Sequence, residues 1–536
     1  MRVSLLLILL YGTQPIFGQN RYSNLYDGWQ DARFSMHVLP SGNYFVGLNE
    51  RRGISHMNDN GEIIYSRTYW TGTEEAVAVM TGFTRLDLNS YILSSGYVKD
   101  SCTTVGSYVK PYTHPTLVKT DSLGNIVIKR YFDLNYGCNN HLGGSVIASD
   151  GSIVAWGYKA DFLMMKVDSN LVPIWSRRFI QEGGVQFMKA LPGGDLLAGI
   201  NLANGGATVA RLDPDGNFRW CKSYFRPRGT AHDAIIESDS SFVIIGHTDS
   251  TASGNIFEPL PPTFQPKQYM MKLDGEGTVQ WCRGYDSAPN YWYTRQASVI
   301  KPTADGNYVM LATMGLPSSV FYDRNMLIKT DTNGDTLWTR SMGQSNRRYN
   351  GMGMLVASDG GILISGVAYG NNLPGMSNEI AFISKTDSVG LFACQNRNHP
   401  IEVLELFPTD SAVTLTSVDG WVAYGDPILY DTAFAQVPVY EVCNPSTGMP
   451  AAARASHGFR VKPNPTPGRI TVSFPDPLER DTYYSVIDAT GRLLYQRPLP
   501  AGGTEEDIDL SRFGRGTYIL RITDPDGQRN ERVVVE

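Results

Sequence analysis

MMKLDGEGTVQWCRGY (270–285) holds the pattern that decides the fold: an alternating strand with a lysine, an acid, a glycine three residues later, then a strand with a tryptophan. Alternation on both sides of a short polar turn predicts a β-hairpin, and glycine supplies the positive φ that such a turn needs. Six further segments share the register: ISHMNDNGEIIYSRTY (54–69), LVKTDSLGNIVIKRYF (117–132), MMKVDSNLVPIWSRRF (164–179), VARLDPDGNFRWCKSYF (209–225), LIKTDTNGDTLWTRSM (327–342) and FISKTDSVGLFACQNR (382–397). The turn acid is Asp121, Asp168, Asp213, Asp274, Asp331 or Asp387, with Asn58 in the first copy. The glycine is Gly61, Gly124, Gly216, Gly277, Gly334 or Gly390, and Leu171 stands in its place in the copy at 164–179.

A second hairpin precedes each copy, as in SVIASDGSIVAWGYK (145–159), AIIESDSSFVIIGHT (234–248) and MLVASDGGILISGVAY (354–369). Two hairpins make four antiparallel strands, recurring every 45 to 63 residues. One such sheet cannot bury both of its faces. Radial stacking of seven buries them, which predicts a seven-bladed β-propeller over residues 19–397. Trp175, Trp220, Trp281 and Trp338 sit at matching places in the fourth strand, where a wedge between neighbouring blades is expected.

The Asp-x-x-Gly turns bring several oxygens together, as in DPDGN (213–217) and DTNGD (331–335). A calcium loop needs a longer run ending in a placed carboxylate, and the sialidase Asp box has a shorter acid-to-glycine spacing. A hairpin turn accounts for them without a metal. The repeats, over roughly residues 27–397, resemble pyrroloquinoline-quinone-dehydrogenase-like propellers and the loosely defined propellers of secreted bacterial proteins. That resemblance implies fold rather than chemistry, and no cofactor is expected from it.

Strands alternate in direction, so the first–second and third–fourth turns lie on one face and the remaining connections on the other. All the long insertions fall in the second class: 98–116, 247–268, 314–324, 368–379, 132–144 and 285–296. One plain face and one elaborated face suit a rigid scaffold carrying binding loops. The candidate ligand-binding residues are Tyr291, Trp292, Tyr293 and Arg295, with Arg347, Arg348 and Tyr349. Aromatic and arginine side chains suit contact with protein or sugar, although inner-strand packing accounts equally for some of them. His232 and Asp233 are adjacent and expected near the channel mouth, with no matched third partner in the sequence.

The whole chain of 536 residues has 54 Gly, 30 Pro, 11% aromatic residues and 18% charged residues, a composition of short strands and tight turns. A net charge of −6 argues against nucleic acid as a partner. Arg2, the apolar run Leu5 to Leu10 and Gly18 read as a signal peptide over residues 1–18. Six cysteines in an exported chain permit up to three disulfides. The candidate pairs are Cys102 with Cys138 and Cys394 with Cys443, while Cys221 and Cys282, equivalent in successive blades, are expected unpaired. Scarce histidine and the lack of Cys-x-x-Cys give no metal site.

Residues 398–445 lose the repeat but stay strand-like, and are expected to form an extra β segment on an edge of the propeller. An Ala-rich linker follows at 446–458. The remainder, 459–536, alternates as a small immunoglobulin-like β-sandwich. Its motifs are Pro463, Asn464, Pro465 and Gly468, then Asp488, Gly491 and Arg492, then Leu510, Gly516 and Tyr518. In this order they resemble the type A C-terminal sorting domain of the type IX secretion system of Bacteroidota, with Arg515 replacing the usual apolar residue. The prolines are expected to stiffen the approach to a strand, and Gly491 and Gly516 to make hairpin turns.

The resemblance implies secretion or display on the outer membrane surface, the type IX machinery as a partner, and anionic lipopolysaccharide as an anchor. The propeller is expected to bind a protein or glycan. The alternative is a secreted hydrolase or lyase acting on polysaccharide or peptide in the channel. No catalytic residue is assigned, because no catalytic motif is present. A site assembled from single residues of several blades would leave no motif, so the sequence points away from an enzyme without deciding the matter.

Overall fold

The computed structural model describes residues 21–536, except 27–35, 40, 49–52, 71–81, 102–110, 134–141, 158–161, 182, 203–205, 226–228, 249–266, 288–291, 294–298, 316–323, 343–347, 370–378, 394–400, 420–422, 428, 435–438, 444–458, 475–477, 479–481, 489–492, 501 and 525–526. The signal peptide, Cys102, Cys138 and Cys394 lie outside the described residues.

The chain is all-β, and a single 3-10 turn, Ser511–Phe513, is the helical element among the described residues. Between Tyr22 and Cys443 it forms seven five-stranded antiparallel sheets in a propeller-like arrangement. Four strands of each sheet follow the two-hairpin pattern. Gly229–Ser238, Ser241–Thr248, Lys267–Asp274 and Val279–Ser287 are one example. The first strands of successive sheets touch one another, so they surround the axis. Each apolar cluster joins two neighbouring sheets: Ile235, Val243 and Ile245 of one pack with Met310, Met326 and Ile328 of the next. Burying each such side chain contributes about 1.5–3 kcal/mol, which a lone sheet would forgo.

The repeated turn acid holds its own hairpin. Asp213 Oδ1 accepts from the amides of Asp215 and Asn217 at 3.0 and 2.9 Å, and the six other copies, Asn58 included, repeat the pair. The carboxylates are occupied by backbone, which supports the turn reading over a metal loop. The glycines have a second role. Trp175, Trp220, Trp281 and Trp338 lie against Gly216, Gly277, Gly334 and Gly390 of the following sheet, where a Cβ would meet the ring at 2.3 to 3.0 Å. Trp220 Nε1 also donates to the carbonyl of Gly275 at 2.8 Å. Tyr26, Tyr69, Tyr224 and Tyr285 donate to the carbonyls of Gly61, Gly124, Gly277 and Gly334 at 2.5 to 2.8 Å. Leu171 is the informative exception. It keeps a left-handed φ of 61° and is fully buried, in a cluster that Ile128 also packs against. Ile128 occupies the tryptophan position of the preceding sheet, so the leucine fills the space that an indole takes elsewhere.

The lysine or arginine of the third strand pairs with an acid beside the first–second turn. Lys166 reaches Asp150 at 2.8 Å, Arg211 Asp195 at 2.7 Å, Lys272 Glu237 at 2.7 Å, Lys329 Asp305 at 2.5 Å and Lys385 Asp359 at 2.8 Å.

Two features correct the sequence reading. In the seventh sheet Glu379–Lys385 of the last repeat pairs with Tyr22–Tyr26, which takes the fourth-strand place. The first described strand and the last repeat of the ring region therefore meet in one sheet. Tyr22 packs on Gly61 of the first sheet, as the tryptophans do on their glycines elsewhere. Second, the described strands of 401–443 pack on the propeller but are spread over several sheets. They form a belt that adds an outer strand to six sheets in turn. Ile401–Glu405 pairs with Val279–Ser287, Ser411–Ala412 with Phe218–Tyr224, Ser417–Asp419 with Pro173–Phe179, Ala423–Gly425 with Ile126–Asp133, Tyr430–Phe434 with Ile63–Trp70, and Val439–Cys443 with Tyr22–Tyr26. The belt runs round the rim against the order in which the sheets are built. Basic residues of the fourth strands fasten it: Arg283 to Glu405 at 3.2 Å, Lys222 to Asp410 at 2.9 Å, and Arg130 to Asp426.

Residues 460–535 form a separate sandwich of a three-stranded and a four-stranded sheet around Ile470, Val472, Ile508, Val486, Leu520 and Val533. Asn464 ties the first motif to the last strand, donating to the carbonyl of Arg532 at 2.6 Å and accepting from the amide of Val534 at 3.0 Å. Pro463 and Pro465 both follow cis peptide bonds and lie between Arg460–Lys462 and Arg469–Ser473. The left-handed residue of the third motif is Gly514, φ 79°, and Gly516 instead begins the strand Gly516–Asp524. Tyr518 closes that corner, donating to the carbonyl of Phe513 at 2.6 Å. Gly491 and Arg492 lie outside the described residues.

Candidate functional site

The strand topology puts the long connections where parity places them: 249–266 and 316–323 each join a second to a third strand, and 288–291 joins a fourth strand to the next first strand. The first strands begin at that face, and three of them bring together the most chemically distinctive residues of the described chain.

In the fifth sheet, Gly229–Ser238 bulges at His232, which is skipped in the register between Ala231 and Asp233. A bulge re-aims a side chain. Here it sets His232 Nε2 2.8 Å from Nδ1 of His247 on the neighbouring strand and 2.8 Å from the hydroxyl of Thr230. Thr230 Oγ1 is also 2.8 Å from His247 Nδ1, so three polar atoms form a closed triangle. The rings stack with centroids 4.9 Å apart. Burial pushes His232 down to about 4, against a weaker upward pull from Asp233, so its imidazole is neutral at pH 7. A neutral ring donates from one nitrogen and accepts at the other, which suits hydroxyl or amide groups. Tyr269 fixes this end by donating to the carbonyl of Thr230 at 2.9 Å. Gly246 is required opposite, because a Cβ there would lie 1.8 Å from that same oxygen.

Asp233, next along the strand, turns toward the sheets that flank its own in the ring. Lys189 of the fourth sheet approaches it to 2.6 Å and Lys301 of the sixth to 3.9 Å, and the amide of Ile300 donates to it at 3.1 Å. Burial alone would raise this carboxyl, but the two ammonium groups outweigh it and hold it below the usual carboxylate range. Asp233 is thus a fixed anion rather than a proton carrier. Sequence reading found His232 and Asp233 but missed Thr230, His247, Lys189 and Lys301. Their partnership depends on which strands become neighbours, and a bulge leaves no mark in residue spacing.

Trp292–Tyr293 forms a two-residue strand opposite Met314 and Gly315, at the loop-bearing end of the sixth sheet. Arg348 begins the first strand of the seventh, paired with Tyr369. These backbone positions therefore lie at one end of consecutive sheets, with the histidine pair in the fifth. Tyr349 does not join them: it is buried in an interblade core, its ring edge-on to Phe382. Tyr291, Arg295 and Arg347 lie outside the described residues. Cys221 and Cys282 are free and buried, and burial pushes the Cys221 thiol up to about 12. Among the described residues no group of three or more His, Cys, Asp or Glu is placed to hold a metal ion.

Residues 460–536 match the family of secretion system C-terminal sorting domains. No curated protein matches the chain. Among solved structures it is similar to a protein of unknown function from Bacteroides caccae, at 10% identity and TM-score 0.35, covering 60% of this chain and 93% of that one. A protein of unknown function from Dyadobacter fermentans aligns at 12% identity and TM-score 0.32, covering 60% and 98%. A chain described as the extracellular domain of a hybrid two component system from B. thetaiotaomicron aligns at 9% identity and TM-score 0.32, covering 94% and 67%. The sorting domain identifies the chain as cargo of the type IX secretion machinery, exported to the cell surface or secreted.

Proposed function

We propose that this protein is a seven-bladed β-propeller that binds a protein or glycan ligand outside the cell, delivered there by an immunoglobulin-like sorting domain. The observation that carries this reading is the placement of the polar triangle Thr230–His232–His247, the strand Trp292–Tyr293 and Arg348 at one end of three consecutive sheets. All three flank long connections, on a ring whose seven sheets are each fastened to the next. A rigid disc that carries these backbone positions at one end of its sheets needs little reordering to bind. The likeness of the repeats to quinone-dehydrogenase-type propellers and to those of secreted bacterial proteins supports the fold. Residues 446–458 then serve as the linker to the sorting domain, and attachment to anionic lipopolysaccharide is the expected means of display.

The engagement of Asp233 favours binding over the hydrolase or lyase reading. A glycosidase needs a carboxyl able to give up a proton near pH 7, and Asp233 is locked as the anion by two lysines. The test is a glycan array and a protein pull-down with the full exported chain, beside assays on a panel of polysaccharides and peptides. Capture that is lost on Trp292→Ala with Arg348→Ala supports the proposal. Turnover of a substrate without saturable binding to the loop face would replace it with the enzyme reading.

A further inference from the structure

The cations of the third strands each have a carboxylate at 2.5 to 2.8 Å from Lys166 through Lys385. Two cations of the inner strands share one carboxylate instead. Lys189 takes Asp233 at 2.6 Å, while Lys301 reaches the same carboxylate only at 3.9 Å. Asp233 also accepts the amide of Ile300, so it is already shared three ways. Two cations thus face one carboxylate, and the side chains of Lys189 and Lys301 keep 28% and 33% of their surface open.

We propose that Lys189 and Lys301 form an oxyanion site on the inner strands of the ring, for a carboxylate, phosphate or sulfate group. Two partly desolvated ammonium groups that share a single carboxylate are incompletely neutralised, and an oxyanion between them supplies both the charge and the hydrogen-bond acceptors. Asp233 holds the two lysines apart and sets their direction without neutralising both. Lys301 has the weaker hold on Asp233, so it is the residue freer to turn to a ligand. Nothing in this proposal depends on the loop face, so failure of the glycan and protein screens leaves it standing.

The experiment follows thermal unfolding of the full exported chain against increasing inorganic phosphate, sulfate or galacturonate, with ionic strength held constant by chloride. A specific anion raises the melting temperature along a saturable curve. Lys301→Met is expected to weaken binding about tenfold or more, the loss of one charged hydrogen bond, whereas Lys301→Arg retains it. The arginine variant guards against a fold effect of the methionine one. A shift with the inorganic ions alone assigns a free anion. A shift with galacturonate as well assigns the acid group of a sugar, and either result supports the site. No shift beyond chloride, or equal shifts in wild type and Lys301→Met, would overturn it.

Discussion

The indole of Trp220 lies so close to the turn of the next sheet that a Cβ on Gly277 would sit 2.9 Å from the ring. Gly277 also has φ 74°, so the position is restricted twice, by backbone and by neighbour. Gly277→Ala should cost about 1–3 kcal/mol, from left-handed strain and overpacking together. The pair Ile128 and Leu171 shows the compensated arrangement in the same protein. Trp220→Ile combined with Gly277→Leu should therefore be less destabilising than the sum of the single changes. Urea midpoints for the cycle measure the coupling, and strict additivity would mean that the two residues do not act as a pair.

The belt makes a sharper demand. A chain stopped after residue 397 keeps every repeat but loses the outer strands of six sheets. With each net hydrogen bond contributing about 0.5–1.5 kcal/mol, the loss should reach at least about 3 kcal/mol. A chain stopped after residue 445 should unfold at the same guanidinium concentration as the propeller of the full chain. Equal midpoints for the two truncations would show that the belt is an ornament.

Lys385 spans the seam where the ring closes. Its side chain has no exposed surface, and it pairs with Asp359 of its own sheet at 2.8 Å and with Asp59 of the first sheet at 2.5 Å. Asp59→Asn with Asp359→Asn leaves this ammonium group buried and unpaired, which should cost about 3–5 kcal/mol. Lys385→Met should cost less, because the two carboxylates it leaves behind are partly solvated. Denaturant midpoints of the two variants rank them.

How much of this was legible in the sequence follows from what each feature depends on. Six of the hairpins, the polar turns and the wedge tryptophans are local patterns of alternation and turn chemistry, and they stood in the repeats. The closing strand was half visible: Tyr22 and Tyr26 have the four-residue spacing of Trp220 and Tyr224, but without the turn that marks the other copies. The belt was not visible as a belt, since short strands of two to five residues carry almost no periodicity. Its acids, Glu405, Asp410 and Asp426, become informative only beside Arg283, Lys222 and Arg130 of three different sheets. At the candidate site the sequence singled out Trp292, Tyr293 and Arg348, whose backbone the fold gathers, and Tyr349, which it buries. Burial of a ring is set by the neighbouring sheet, which no single strand encodes.

Acid should destabilise the protein partly through His232. Its value falls to about 4 in the folded chain, while the unfolded side chain titrates near about 6.5, so between these the unfolded state binds the extra proton. Stability from this group is complete above that window and is lost as pH falls through it. His232→Gln should flatten the fall in urea midpoint between pH 6.5 and 4 by up to one proton's worth of slope. An unchanged slope would mean that His232 is solvated in the folded protein.

Closure of the ring by its two ends is the claim on which the rest depends, and hydrogen exchange tests it most directly. Tyr22–Tyr26 is paired on both edges, with Glu379–Lys385 on one side and Val439–Cys443 on the other. Its amides should therefore be as protected as those of an interior strand such as Ser241–Thr248. If Tyr22–Tyr26 exchanges at the rate of an unpaired terminus while Ser241–Thr248 stays protected, the ring is not closed as described and the account fails.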